Sequence, residues 1–148
     1  MAYFIFTKNC DNVLDTLYRI AETQNDLNNL AIVQSSYKII EDSQENFDGV
    51  KYGTKDASFY NGDSITYNTA DAYFLNKTTL QKYIEDFKNN IKNFLNNNPN
   101  NPSFNTWNNY YTQLSNVDLD SINYPLTISL EQYFKNQGQS SYSPLQLS

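Results

Sequence analysis

Between Thr79 and Leu114 apolar residues return at helical intervals, and no other stretch constrains the fold as tightly. Leu80, Tyr83, Ile84, Phe87, Ile91, Phe94 and Leu95 recur at steps of three and four, while Lys82, Glu85, Asp86, Lys88 and Lys92 occupy the opposite side. This spacing predicts an amphipathic helix, capped by Thr78 or Thr79 and halted by the Asn and Pro run from Asn96 to Pro102. Phe104, Trp107, Tyr110, Tyr111 and Leu114 repeat the period behind Ser103, a candidate N-cap. The two segments are therefore expected to fold as a helical hairpin with an aromatic inner face.

The first half has a different rhythm. Tyr3 to Phe6, Leu17 to Ala21 and Tyr37 to Ile40 are short apolar runs suited to strands, and the first two are expected to pair. A short helix is expected over Thr23 to Leu30, capped by Thr23 or Asn25, and another over Asp42 to Gly49, capped by Asp42 or Ser43 and closed by the glycine. Phe59-Tyr60 and Ile65-Thr66-Tyr67 flank Asn61-Gly62, whose freedom at positive φ suits a tight hairpin with its tip at Gly62. Beyond the helical hairpin, Ser115 to Pro125 is too polar and interrupted for regular structure. Leu130, Tyr133 and Phe134 then mark a third short helix, with Thr127 or Ser129 as cap and Gly138 past its end.

These elements imply an α+β fold: a small antiparallel sheet with a hairpin in the N-terminal half, and a helical hairpin plus a third short helix in the C-terminal half. At 148 residues a single domain over 1–138 is expected, strand-rich over 1–68 and helical over 69–138. Residues 139–148 read as an extended tail, with Tyr142, Pro144, Leu145 and Leu147 as a candidate docking arm.

Composition narrows the chemistry. There is no histidine, so His-based triads, Cys–His dyads and most zinc sites are removed together. Cys10, the single cysteine, stands beside Asp11, a neighbour that raises a thiol pKa rather than activating it. The carboxylate pairs Glu41-Asp42, Glu85-Asp86 and Asp118 with Asp120 read more simply as helix-terminal or solvated charges than as glycosidase acids. Asn116, Asp118 and Asp120 have the opening spacing of a calcium loop but lack its later Gly and Glu, and Gly53-Thr54-Lys55 lacks the order of a phosphate loop. No enzymatic activity, cofactor or metal is expected.

A formal charge of −6, with a single Arg and nine scattered Lys, supplies no basic patch for nucleic acid. No apolar run approaches the roughly 18–20 residues of a membrane span, and no secretory signal follows Met1, so an intracellular product is expected. Abundant Asn, Tyr, Ile and Lys reflect AT-rich codons, as in a low-GC microbe or one of its phages, and the Asn clusters read as solvated surface and helix-end loops. The 13 Tyr and 9 Phe leave Trp107, Tyr110 and Tyr111 open to two uses: a stacking platform for a ligand, or core packing against the first helix, which the shared side with Phe104 and Leu114 favours.

Trp107 to Leu114, then Val117-Asp118 and Ile122-Asn123-Tyr124-Pro125, resembles the C-terminal region of phage tail-fibre assembly proteins and tail chaperones. In that family a Trp, a Tyr three residues later and a Leu four after that precede a Val-Asp step and a Trp-Pro. Here Tyr111 stands where Arg is usual, Tyr124 replaces the second Trp, and the chain continues past Pro125. In style the whole chain is similar to small structural proteins of AT-rich tailed phages. The resemblance implies an interaction protein of a tailed-phage particle, a virion component of head (capsid) or tail, made in the host cytoplasm, that binds other phage structural proteins or itself. The alternatives are a tail-fibre assembly chaperone and a carbohydrate- or receptor-binding module. Candidate interaction residues are Trp107, Tyr110, Tyr111, Tyr142, Pro144, Leu145 and Leu147.

Overall fold

The computed structural model describes residues 1–8, 14–30, 36–60, 64–68 and 73–148. Its fold is α+β, and the chain divides into two compact units, Met1–Ala70 and Asp71–Leu147.

The first unit is built on a three-stranded antiparallel sheet of order β2-β1-β3, from β1 (Ala2–Lys8), β2 (Leu14–Ala21) and β3 (Tyr37–Asp42). Phe4 lies opposite Ile20 on one side and Ile40 on the other. Phe4, Ile5 and Phe6 are all buried, so the central strand is covered on both faces there; this is why its sequence runs apolar instead of alternating. Helix α1 (Gln24–Asn29) opens with a capping box between Thr23 and Asp26, choosing Thr23 over Asn25.

Helix α2 (Gln44–Lys51) is capped by Ser43, and Phe47 is its fully buried residue against the sheet. Gly49 does not end this helix. A Cβ there would meet Lys55 Cγ and Cδ at 2.8 Å, so the glycine opens a path for the Lys55 stem across the helix. Lys55 Nζ then donates to Asn46 Oδ1 at 2.6 Å. The positive φ expected of a helix-ending glycine belongs to Gly53 instead, at 81°. Strands β4 (Asp56–Tyr60) and β5 (Ile65–Asn68) form a separate antiparallel pair, as the Asn-Gly signal implies; the expected tip at Gly62 lies outside the described residues, as do Cys10 and the Asn9 to Asn12 turn.

The second unit holds the helical hairpin. Helix α3 (Lys77–Asn97) begins two residues before the predicted start because Asn76, in an extended conformation, takes the Thr79 N–H at 3.0 Å while Thr79 Oγ1 takes the Asn76 N–H. Helix α4 (Phe104–Ser115) starts after Ser103, whose side chain makes no cap; its own N–H is taken by Asn101 Oδ1. Leu80, Ile84, Phe87, Ile91 and Leu95 of α3 pack with Trp107, Tyr110 and Leu114 of α4 and with Leu130 and Phe134 of α5 (Leu130–Asn136). Phe87 sits 5.6 Å from Tyr110 and 6.3 Å from Trp107 between ring centroids, and Phe134 meets Tyr110 edge-on at 5.7 Å. Phe74 bridges to Leu126 next to the cis Tyr124–Pro125 bond.

The C-terminal stretch departs from the expected extended docking arm. Ser143 caps a 3₁₀ turn over Pro144–Gln146, the Tyr142 ring lies 5.2 Å from Trp107 and 5.1 Å from Tyr110, and Leu147 is buried in the same core. The stretch after residue 138 therefore packs with the helical unit instead of standing off it, because Leu147 is buried in that core and the Tyr142 ring rests, half-buried, against its aromatic cluster.

Candidate functional site

The face of α4 turned away from its aromatic strip carries Asn109, Thr112, Gln113 and Asn116, the i, i+3, i+4, i+7 series of one helix side. After Asn116 the chain enters a 3₁₀ turn, Leu119–Ser121, fixed by Asp118: its carboxylate accepts the Asp120 N–H at 3.2 Å and the Ser121 hydroxyl. On the far side α5 ends at Asn136, with Gln137 as its C-cap. Gly138, at φ 72°, lets the Gln139 N–H reach Phe134 O at 2.9 Å and the Gly138 N–H reach Lys135 O at 3.0 Å, a Schellman closure that brings Gln139 back toward α4. Gln113 Nε2 donates to Ser140 O at 2.8 Å and ties the two sides together.

Between these walls lies an open groove of about 590 Å³, lined by the α4 face, Asp118, Ser121, Tyr133, Gln137 and Gln139. The carboxamides of Asn109, Asn116, Gln137 and Gln139 are solvent-exposed and make no hydrogen bond within the described residues. Tyr133 contributes a half-buried ring. Asp118 is the one charged group in the lining, and the Ser121 hydroxyl, followed by the Asp120 N–H, holds its carboxyl below the usual range, so it is ionised at neutral pH. The lining thus combines paired donors and acceptors, one fixed anion, the half-buried Tyr133 and the apolar Val117 and Phe134, without a base placed against a nucleophile.

A second concentration of chemistry lies in the core of the same unit. Glu131, in the first turn of α5, is only 4% exposed, and the Tyr83 hydroxyl donates to its Oε1 at 2.7 Å. Burial pushes its pKa up to about 7 against the opposing pull of that hydrogen bond. The Tyr110 hydroxyl is buried with no full hydrogen bond, and burial, then the Glu131 charge, raises its pKa. Tyr83 is raised by the same two causes. No cation offsets Glu131 among the groups acting on it, so its carboxyl keeps the proton to higher pH than an exposed glutamate does.

The residues singled out from sequence separate. Trp107, Tyr110 and Leu147 are buried at 3%, 1% and 7% exposure, so of the two uses left open for the aromatics these take core packing. Tyr111, Tyr142, Pro144 and Leu145 are half-buried, Tyr111 lying under Lys88 Nζ at 5.1 Å. None of the seven lines the groove. The groove was signalled by the polar i, i+3, i+4, i+7 series on α4, hidden among Asn residues read as solvated surface. Glu131 gave no signal, since an acid in a first turn is ordinary.

Each carboxylate pair has at least one member in structural employment. Asp42 accepts from Tyr67 Oη, the Ser43 N–H and Asn46; burial pushes its carboxyl up, and those bonds outweigh it and hold it below the usual range. Asp86 pairs with Lys82 at 3.1 Å, and Asp120 with Lys77 at 2.7 Å, which leaves the calcium-like spacing serving a capped turn. Among the described residues no group of three or more His, Cys, Asp or Glu is placed to hold a metal, and no helix is long and apolar enough to cross a membrane. Compared with protein-family models, with curated proteins and with solved structures, the chain gives no match.

Proposed function

We propose that this chain is a non-enzymatic interaction protein of a tailed-phage particle, a head or tail component that meets its partner through the amide-lined groove of the Asp71–Leu147 unit. One observation carries the interaction part: exposed carboxamides that make no hydrogen bond within the described residues converge on a groove whose one charged group among those residues is already fixed by Ser121. Such a lining has much to offer a ligand and little with which to transform one. The phage part is supported by the resemblance over residues 107–125. That stretch holds most of α4 and the following turn up to the cis-proline, and so supplies one wall of the groove.

Mass spectrometry of purified particles tests the reading. A virion component is expected at stoichiometric copy number. Presence in infected-cell lysate with absence from particles would assign the chain to assembly, as a tail-fibre chaperone, and absence from both would refute a phage role. Turnover of phosphoester, glycoside or peptide substrates by the purified chain, lost on mutating an Asp or Glu, would refute the non-enzymatic reading.

A further inference from the structure

The groove's lining also specifies the chemistry of what it accepts. An anion is disfavoured, because the lining holds no cation and Asp118 is ionised. A peptide or protein hot spot is disfavoured too, since such contacts draw their energy from buried aromatic or Arg anchors, and the apolar residues here are confined to Val117, Tyr133 and the buried Phe134. The uncharged amides and hydroxyls that make up most of the polar lining suit a ligand that is neutral, small and able both to donate and to accept at closely spaced positions. Each carboxamide presents an NH₂ pair and a carbonyl side by side, the complement of neighbouring hydroxyls, and a carboxylate such as Asp118 adds acceptors for two more. Tyr133, half-buried in the lining, brings an aromatic ring of the kind on which the apolar side of a sugar stacks. A volume of about 590 Å³ falls within the roughly 300–1,000 Å³ of small-ligand clefts.

We infer that the groove is a binding site for a neutral saccharide. Asn109, Asn116 and Gln137 bind its hydroxyls, Asp118 accepts from them, and Tyr133 stacks on a ring. This rests on the interaction reading of the same groove and names the class of ligand it meets. A glycan-binding particle component would contact the host surface or the glycan coat around it.

The test uses the full chain. A printed glycan array, followed by saturation-transfer NMR with the best neutral disaccharide, is run on the native protein and on Asn109→Ala, Gln137→Ala and, as a control, Asn89→Ala on the exposed side of α3. Asn109 and Gln137 make no side-chain hydrogen bond within the described residues, and alanine is the better helix former at 109, so the variants are expected to keep the native Trp107 fluorescence. The expected result is binding to neutral glycans, weakened about tenfold in each groove variant and unchanged in the control. No glycan bound by the native chain, or binding unchanged in both groove variants, overturns the site. Binding confined to acidic glycans, or to an immobilised peptide panel instead, overturns the ligand class. Failure on the array with the chain present in particles would sink the saccharide inference alone; absence from particles would sink the phage reading whatever the array shows.

Discussion

Glu131 makes the stability of the second unit depend on pH in a direction opposite to that of most carboxylates, and replacing it with glutamine isolates the effect. The folded unit holds this carboxyl at about 7, against an ordinary value of 4.5. Below the lower value both folded and unfolded chains carry the proton and the group costs nothing. As pH rises through the interval the unfolded chain releases its proton while the folded one retains it, so stability falls until the folded carboxyl ionises as well. At 1.36 kcal/mol per unit the interval amounts to about 3 kcal/mol lost between pH 4.5 and 7. With Glu131 only 4% exposed, solvent screening takes little from that figure. Glutamine keeps an oxygen for the Tyr83 hydroxyl and cannot ionise. Glu131→Gln should therefore exceed the native chain in stability by about 2–3 kcal/mol at pH 8 and show no such advantage at pH 4. Urea unfolding followed through Trp107, the only tryptophan and buried in the same unit, reads the difference, and subtracting the two pH profiles removes contributions from other carboxylates. A native-minus-variant difference that stays flat from pH 4 to 8 would mean that Glu131 titrates normally in the fold, and the argument from burial would be wrong.

Trp107→Ala should cost about 3–5 kcal/mol, since the ring is packed among Phe87, Tyr110 and Tyr142; a loss below about 1 kcal/mol in thermal or urea unfolding would place the ring outside the core. Removing residues 139–148 should destabilise or unfold the helical unit, because it strips Tyr142 from the aromatic cluster and Leu147 from the core; an unchanged melting profile would restore the free-arm reading. Gly49→Ala should destabilise the first unit by about 1–3 kcal/mol through overlap with the Lys55 stem. In a Lys55→Ala background most of that penalty should disappear, since only the tight approach to the residue 55 Cβ at 3.2 Å remains, and a double-mutant cycle showing no coupling would refute the contact. Asn76→Ala should lower the stability of the second unit by about 1 kcal/mol, measured in the same way, by removing the acceptor for the Thr79 N–H.

By itself the sequence determined what depends on neighbours along the chain. The period of Leu80 to Leu95 marked α3 and its apolar face, the starts of α1, α2 and α5 were each narrowed to two candidate caps of which Thr23, Ser43 and Ser129 serve, and Gly138 marked the end of α5. In each case the partners lie within a few residues, so the signal is written in the local order of residue types, although the short helices owe their stability to packing. Even the misplaced cap of α3 was a contest among near neighbours, won by Asn76 because its extended backbone allows the reciprocal bond with Thr79. Tertiary structure alone decided the rest. Gly49 reads as a helix stop until Lys55 crosses it. Leu147 reads as the end of a loose tail until the core it completes is assembled. Tyr83 and Glu131 stand 48 residues apart, and an acid that looks ordinary in a first turn becomes a buried, neutral-leaning one only when α5 packs on α3. The groove has the same origin: its amides are unremarkable one by one, and become a site because α4 and the Schellman-closed end of α5 face each other. Burial and electrostatic environment are sums over atoms brought together in space, and a linear order of residue types carries that sum only after the chain has folded.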